Sequence, residues 1–269
     1  VVRIARRAFG TRRVGHAGTL DPAASGLLLV LVGPAVRLAQ YLVGLPKRYR
    51  GTIRLGESTD TDDATGSVIS RSDTWTDLDR TAIAAAMERC VGVQHQVPPA
   101  YSAKHVRGER AYRIARRGQS VPLAPVRVEV RRFDLISLEG PDVRFDAEVS
   151  GGTYLRSLAR DLGIALGCGA HLKELRRVRV GDFAVEDAFP LEAIRSGKAR
   201  LMPPVVAVRH LPRLEIDEDA ARRLRLGQAI ETPSGIGDVD PVALVHTEEL
   251  IAVAQPQHGR LQPRVVLAS

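Results

Sequence analysis

Gly15-His16-Ala17-Gly18-Thr19-Leu20-Asp21-Pro22-Ala23-Ala24-Ser25-Gly26-Leu27 places three glycines, a proline and an aspartate within thirteen positions. Glycine permits tight turns and close backbone approach, proline fixes a bend, and a short carboxylate can bond its own backbone, so the run reads as a loop. Directly after it, Leu27 to Val32 is a continuous apolar stretch opened by Gly26 and closed by Gly33-Pro34. It predicts a buried strand, with Ala35 to Val43 continuing as a helix. Such a loop is held by a rigid scaffold. Taken alone, Asp21-Pro22 would read as a turn or helix-cap carboxylate.

Working outward, Val1 to Phe9 has helical spacing, with Val2, Ala5 and Phe9 near one face and arginines around the other. Arg48 to Leu55 switches to period two: Tyr49, Gly51, Ile53 and Leu55 share one face, Arg48, Arg50, Thr52 and Arg54 the other. Thr76 and Asp79 ahead of Ile83 to Met87 have the form of a capping box, starting a helix that ends near Gly92. Pro98-Pro99 breaks the pattern and a basic helix follows over Ala111 to Arg117. Val126 to Leu138 and Val143 to Val149 read as adjacent strands across Glu139-Gly140-Pro141, and Tyr154 to Leu166 as a strand end running into a helix. Met202-Pro203-Pro204 interrupts the periodic segments, which predicts a boundary there: a domain over 1–203 and a small module over 204–269. The module holds a helix from Asp217 to Leu226, with Asp217 as N-cap, and short strands such as Leu250 to Ala254 and Arg264 to Leu267. Strands and helices alternate irregularly with no repeat, so the class is α+β.

With 269 residues, 44% hydrophobic and 26% charged, the chain can build a real core. Its longest apolar run is far short of the ~20 residues of a membrane span, and no targeting segment is visible, so the expectation is a cytoplasmic protein without membrane contact. Cys90 and Cys168 stand apart from each other and from histidines at ligand spacing, which predicts buried thiols and neither a disulfide framework nor a zinc site. A net charge of +8 points to a polyanionic partner. Three basic blocks carry it: Arg3, Arg6, Arg7, Arg12 and Arg13; then Lys104, Arg107, Arg110, Arg113, Arg116 and Arg117 against Glu109; then Lys173, Arg176, Arg177 and Arg179. Three separated blocks suit an extended phosphate backbone. No glycine-rich dinucleotide fingerprint or phosphate loop is present, so NAD and ATP are not expected. The cluster Asp60, Asp62, Asp63 fails the calcium-loop spacing and reads as a turn, and Ser25 lacks the first glycine and the histidine of a hydrolase triad.

The run from Gly15 to Leu27 closely resembles the catalytic motif of the TruB family of tRNA pseudouridine synthases. Lys47-Arg48-Tyr49-Arg50, Gly56 with Thr59-Asp60-Thr61-Asp62, Pro98-Pro99-Ala100-Tyr101-Ser102-Ala103, Gly152-Thr153-Tyr154-Leu155-Arg156 and Leu166-Gly167-Cys168-Gly169-Ala170-His171-Leu172 resemble further family segments, in family order. The resemblance spans roughly Val2 to Val185 and implies a mixed, largely antiparallel sheet flanked by helices. Beyond it the chain is similar, more loosely, to a β-rich PUA-like RNA-binding module. The family usually opens with a strand carrying Lys-Pro and Gly-x-Thr-Ser, so an N-terminal piece is expected to be missing from this sequence.

The resemblance implies that the chain isomerises the T-loop uridine of transfer RNA, position 55, to pseudouridine. That reaction breaks the N1–C1′ bond and rejoins the base through C5 with no net redox change, so no metal or coenzyme is expected. Asp21 would act by attacking C1′ or C6, or by stabilising charge at the ribose; ionised at neutral pH, it needs aiming rather than activation. Arg156 would aim it as a bidentate partner. Tyr49 would stack on the target uracil and serve in proton removal from C5. Tyr154, two residues before Arg156, is expected to project with it from one face of an extended segment. Leu175 would form an apolar wall, His16 would fill the space left by the flipped base, and Arg177, paired with Arg176, would grip phosphate. Expected partners are the transfer RNA T-stem-loop and no obligate protein, with the chain a monomer. Three rivals share parts of this pattern: a non-catalytic RNA-binding protein, a guide-dependent relative in a ribonucleoprotein, and a metal-dependent nuclease built on Asp60 to Asp63. Asp21 disfavours the first, and the absence of long basic extensions disfavours the second.

Overall fold

The computed structural model describes residues 1–102, 104–106, 108–117, 119, 121–233 and 240–267. Ala103 and Arg107 lie outside the described residues, as do the side chains of Arg110 and Arg116. The chain divides into two compact units, one made of Leu20–Leu27 and Gly44–Glu186, the other of Val1–Thr19, Leu28–Val43 and Asp187–Ser269. This is not the single linear cut expected after residue 203. Val14–His16 pairs antiparallel with Val30–Val32, so the segments on either side of the Asp21 loop belong together, while the loop itself joins the first unit.

That first unit is built on a seven-stranded sheet. Its strands are β1 (Lys47–Leu55), β2 (Gly92–Gln96), β3 (Val126–Glu139), β4 (Asp142–Val149), β5 (Ala170–Val180) and β6 (Phe183–Ala184), ordered β6-β5-β1-β4-β3-β2, with Ser25–Gly26 added alongside β5. All pairings along the path are antiparallel; only the Ser25–Gly26 addition is parallel. The alternation read in β1 is realised. Tyr49, Ile53 and Leu55 are buried, and Arg48, Arg50 and Arg54 take the other face. Helices α1 (Arg80–Arg89) and α2 (Leu155–Ala165) supply the apolar partners of the buried face. In α2, Leu155, Leu158, Ala159 and Leu162 recur at helical spacing and are all buried, each leucine contributing about 1.5–3 kcal/mol by leaving water. Gly163 lets α2 lie directly on β5: a Cβ there would stand 2.2 Å from the Ala170 nitrogen.

The second unit contains a five-stranded sheet from β7 (Arg213–Glu215), β8 (Ile230–Glu231), β9 (Val242–His246), β10 (Glu249–Gln257) and β11 (Arg260–Val266), ordered β7-β9-β10-β11-β8. Helix α3 (Glu218–Arg225) covers one face through Ala221 and Leu224, and the Asp217 side chain caps it by accepting from the Ala220 N–H at 2.8 Å. The other face gathers Leu38, Val208, Val245, Val253 and Val265 into a separate cluster.

Three expectations change in detail. Only Val30–Val32 of the apolar run forms a strand, followed by a 3-10 turn over Gly33–Leu38 and a helix over Ala39–Val43. The run divides because Leu27 is captured by β5, its N–H donating to the Arg177 carbonyl at 2.8 Å. Helix α1 is capped by Asp79 alone, which accepts from the Ala82 N–H, while the Thr76 hydroxyl turns to the Asp73 carbonyl. Arg156 lies in the first turn of α2 rather than on an extended segment, with Tyr154 as the N-cap residue. Cys90 and Cys168 are free thiols, half-buried and buried, and burial pushes both upward in pKa.

Lys47 is 6% exposed, and its ammonium donates to the Leu45 carbonyl at 2.7 Å. Burial, with Arg177 adding repulsion, lowers its pKa to about 8. A folded value below the unfolded one destabilises the fold wherever the lysine is protonated in both states, and the penalty lifts as pH rises from about 8 towards 10. Lys47→Met is therefore expected to flatten this rise in stability, worth about 3 kcal/mol, as read by denaturant unfolding at pH 7, 8, 9 and 10.

Candidate active site

The Asp21 loop is held at its C-terminal end. Ser25–Gly26 runs parallel to Arg176 and Arg177, the Leu27 N–H donates to the Arg177 carbonyl, and the Arg177 Nε–H donates back to the Leu27 carbonyl at 2.7 Å. Gly26 has a φ of +100°, and a Cβ on it would come within 2.2 Å of the Arg177 carbonyl oxygen. Only glycine lets the loop approach β5 so closely. Earlier in the loop, the Ala24 N–H donates to the Asp21 carbonyl at 2.9 Å and closes a turn across Pro22.

Asp21 faces Arg156 in a two-pronged pair: Nε to Oδ2 and one terminal amine to Oδ1, each 3.0 Å. The aspartate side chain is 34% exposed and the arginine 6%, so the carboxylate stands at the rim with its anchor beneath. The guanidinium is fixed on its other edges too. It donates to the Thr61 and Tyr101 carbonyls, both at 3.2 Å, and its Nη1 lies 3.4 Å from the Asp63 carboxylate. With all its edges engaged, Arg156 has one orientation available, and so does the carboxylate it grips.

The supports of Arg156 are themselves ordered. Asp63 accepts from the Thr61 hydroxyl at 2.8 Å and from the Thr65 N–H at 2.9 Å and hydroxyl at 2.5 Å. One turn along α2, Arg160 donates to Asp62 at 3.0 Å and to the Val97 carbonyl at 3.0 Å, fastening the same loop. Burial raises the Asp62 pKa, against the opposing pull of Arg160. The first turn of α2 is tied by Gln96, whose side-chain carbonyl accepts from the Tyr154 N–H at 2.8 Å and whose amide donates to the Tyr154 carbonyl at 3.1 Å. Asp63 and Gln96 are site-building residues that sequence reasoning left aside. In the sequence the cluster around Asp63 reads as a turn, and Gln96 carries no local signal.

Tyr49 is 7% exposed. Its register partner on β5 is Arg177, which lowers the phenol pKa, while burial dominates and raises it and Asp21 adds to the rise. Burial raises Tyr154 as well, against the Ser102 hydroxyl and Arg156, with Asp21 adding a smaller rise. Both phenols therefore remain neutral at physiological pH, with the Asp21 carboxylate near enough to act on each. Leu175 borders a small cavity together with Asp21, Ala23, Asp63 and Arg156. His16 is exposed at the end of the Val14–His16 strand, in the second unit. Arg177 corrects an expectation: it is fully buried, so its guanidinium meets the Leu27 carbonyl and Tyr49 rather than phosphate. Arg176, its neighbour, is exposed. Among the described residues no cluster of histidine, cysteine and carboxylate has the geometry of a metal site.

The model of the TruB family pseudouridylate synthase N-terminal domain matches residues 6–155, and that of the tRNA pseudouridylate synthase B C-terminal domain matches 156–201. The chain is 46% identical to the tRNA pseudouridine synthase B of Thermobifida fusca (strain YX), over all of this chain and 93% of that one. It is 41% identical to the enzyme of the same name from Arthrobacter sp. (strain FB24), over 100% and 92%. In fold it is similar to a chain of an H/ACA ribonucleoprotein bound to a substrate RNA containing 2′-deoxyuridine, with a TM-score of 0.74 at 24% identity, covering 100% of this chain and 80% of that one. A chain of the archaeal box H/ACA Nop10–Cbf5 complex is similar at a TM-score of 0.72 and 25% identity, over 98% and 80%.

Gly26→Ala is expected to displace the Asp21 loop from β5 and lower the turnover of the site by about 10²-fold, since an ångström of misplacement costs that much. Single-turnover kinetics on the chain's RNA substrate, with near-UV circular dichroism to confirm the fold, measures it.

Proposed function

The chain belongs to the TruB family of tRNA pseudouridine synthases, isomerases that convert uridine to pseudouridine in transfer RNA, and we propose that its target is the T-loop uridine and that Asp21 is its nucleophile. The observation that carries this reading is the Asp21 carboxylate gripped at two 3.0 Å contacts by a buried guanidinium. Isomerisation breaks N1–C1′, turns the uracil, forms C5–C1′, moves a proton from C5 and returns one to N1. Atoms and electrons balance without a coenzyme. Attack at C1′ and attack at C6 make the same demand on the protein: an ionised oxygen held still beside the sugar and the base.

Arg156 is the positioning residue that meets this demand. Tyr49 stacks on the everted uracil, a contact of roughly 1–3 kcal/mol, and passes on the C5 proton once the base has turned. Tyr154 borders the same space and Leu175 closes its apolar side. His16 fills the gap that the base leaves in the RNA, which offsets part of an unstacking cost of a few kcal/mol. Residues 204–269, which contain the five-stranded sheet and α3, act as a PUA-like RNA-binding module. The enzyme works as a monomer on the T-stem-loop, without an obligate protein partner, in the cytoplasm where its substrate is found. No helix among the described residues is long and apolar enough to cross a membrane.

Tritium release from transfer RNA labelled at uracil C5 tests the reading. The parent is expected to release tritium without added metal and Asp21→Asn to release none while still binding RNA; an active Asp21→Asn protein would refute the nucleophile. For Tyr49→Phe the expectation is unchanged RNA affinity with turnover lowered by 10²-fold or more. Turnover equal to the parent would remove the proton-transfer role and leave stacking alone.

A further inference from the structure

The sheet face opposite α1 and α2 forms an open groove of about 860 Å3. Six basic side chains line it, Arg48, Arg50, Arg132, Arg144, Lys173 and Arg176, against three acids. The arrangement is built rather than scattered. Asp146, 3% exposed on β4, lies at its floor and accepts from Arg48 at 2.7 and 2.9 Å, from Arg50 at 2.9 Å and from Arg132 at 2.6 Å. Four residues away on the same face, Asp142 gathers Lys173 at 2.6 Å and Arg54 at 3.2 Å.

One carboxylate cannot saturate three guanidiniums. Arg50 spends only its Nε–H on Asp146 and is 62% exposed, so among the described residues its two terminal amines have no protein acceptor. Arg176 is exposed with no ion-pair partner among the described residues. The groove also shares Ala23, Lys173, Glu174 and Leu175 with the small cavity that holds Asp21 and Arg156. A polyanion emerging from that cavity would pass directly over the arginines. A second copy of this chain would bring like charge to like charge.

We infer that this groove is a phosphate subsite in which Arg48, Arg50 and Arg132, gathered by buried Asp146, together with Arg144 and Arg176, hold the backbone of the RNA strand leading away from the target nucleoside. The inference rests on the RNA-modifying function above and adds the surface that reads the strand. Asp146 is the unusual member: an acid that strengthens anion binding by holding three forks in place.

Binding of an unmodified transfer RNA transcript to the Asp21→Asn protein, measured by filter retention across a salt series, tests it. On that background Arg50→Gln/Arg144→Gln/Arg176→Gln is expected to weaken binding at least tenfold and to lower the salt slope by about three, roughly one per phosphate contact. Asp146→Asn makes the surface more positive, yet weakening by several-fold is expected because the guanidiniums lose their common anchor. An unchanged affinity and slope in the triple variant would overturn the subsite, as would tighter binding by a folded Asp146→Asn protein. Should Asp146→Asn melt below the assay temperature, the triple variant, whose side chains are exposed, decides alone. Failure of the enzymatic reading shows separately, as absence of tritium release from the parent.

Discussion

The pair between Asp21 and Arg156 is the constraint from which the rest of the first unit follows. A carboxylate 34% exposed on a glycine-rich loop would sample many directions, and a reaction at a sugar carbon tolerates few. A buried arginine fixes the direction only if it is itself immobile. Hence the convergence of two further stretches on the guanidinium: the turn at Thr61 to Asp63 and the Tyr101 carbonyl. A buried cation without these acceptors would cost several kcal/mol. With them it is a rigid clamp.

The same logic explains the supporting tier. Arg177 is fully buried and grips Leu27 through side chain and main chain at once, so the loop cannot slide along β5. Arg160 and Gln96 hold the strap and the helix end that hold Arg156. Polar groups at this depth are demanding because each must find a partner, and that demand makes the arrangement specific.

Much of this was legible in the sequence because it is written in short-range patterns. The alternation along Arg48 to Leu55, the Asp217 cap and the paired strands across Gly140 depend on neighbours in the chain, and the structure places them as read. Asp21, Tyr49 and Arg156 stand in segments that resemble family motifs, and the first and third are in contact. What failed depended on distant partners. Arg177 reads as a surface cation beside Arg176; strand alternation sends one outward and the other into the core, and only the position of Leu27 shows why a guanidinium is tolerated there. Tyr154 and Arg156 do not share the face of an extended segment, because the helix begins between them: Tyr154 is the N-cap residue and Arg156 lies in the first turn. The apolar run after Gly26 looked uniform, yet its first residue belongs to a different unit from the remainder.

That division has a practical side. Leu20–Leu27 is an eight-residue insertion from the first unit, flanked on both sides in sequence by segments of the second. Neither unit is a continuous stretch of polypeptide, so truncating the gene at any one codon cannot liberate either of them whole. A fragment beginning at Gly44 would keep the arginine clamp and lose the aspartate it was built to hold.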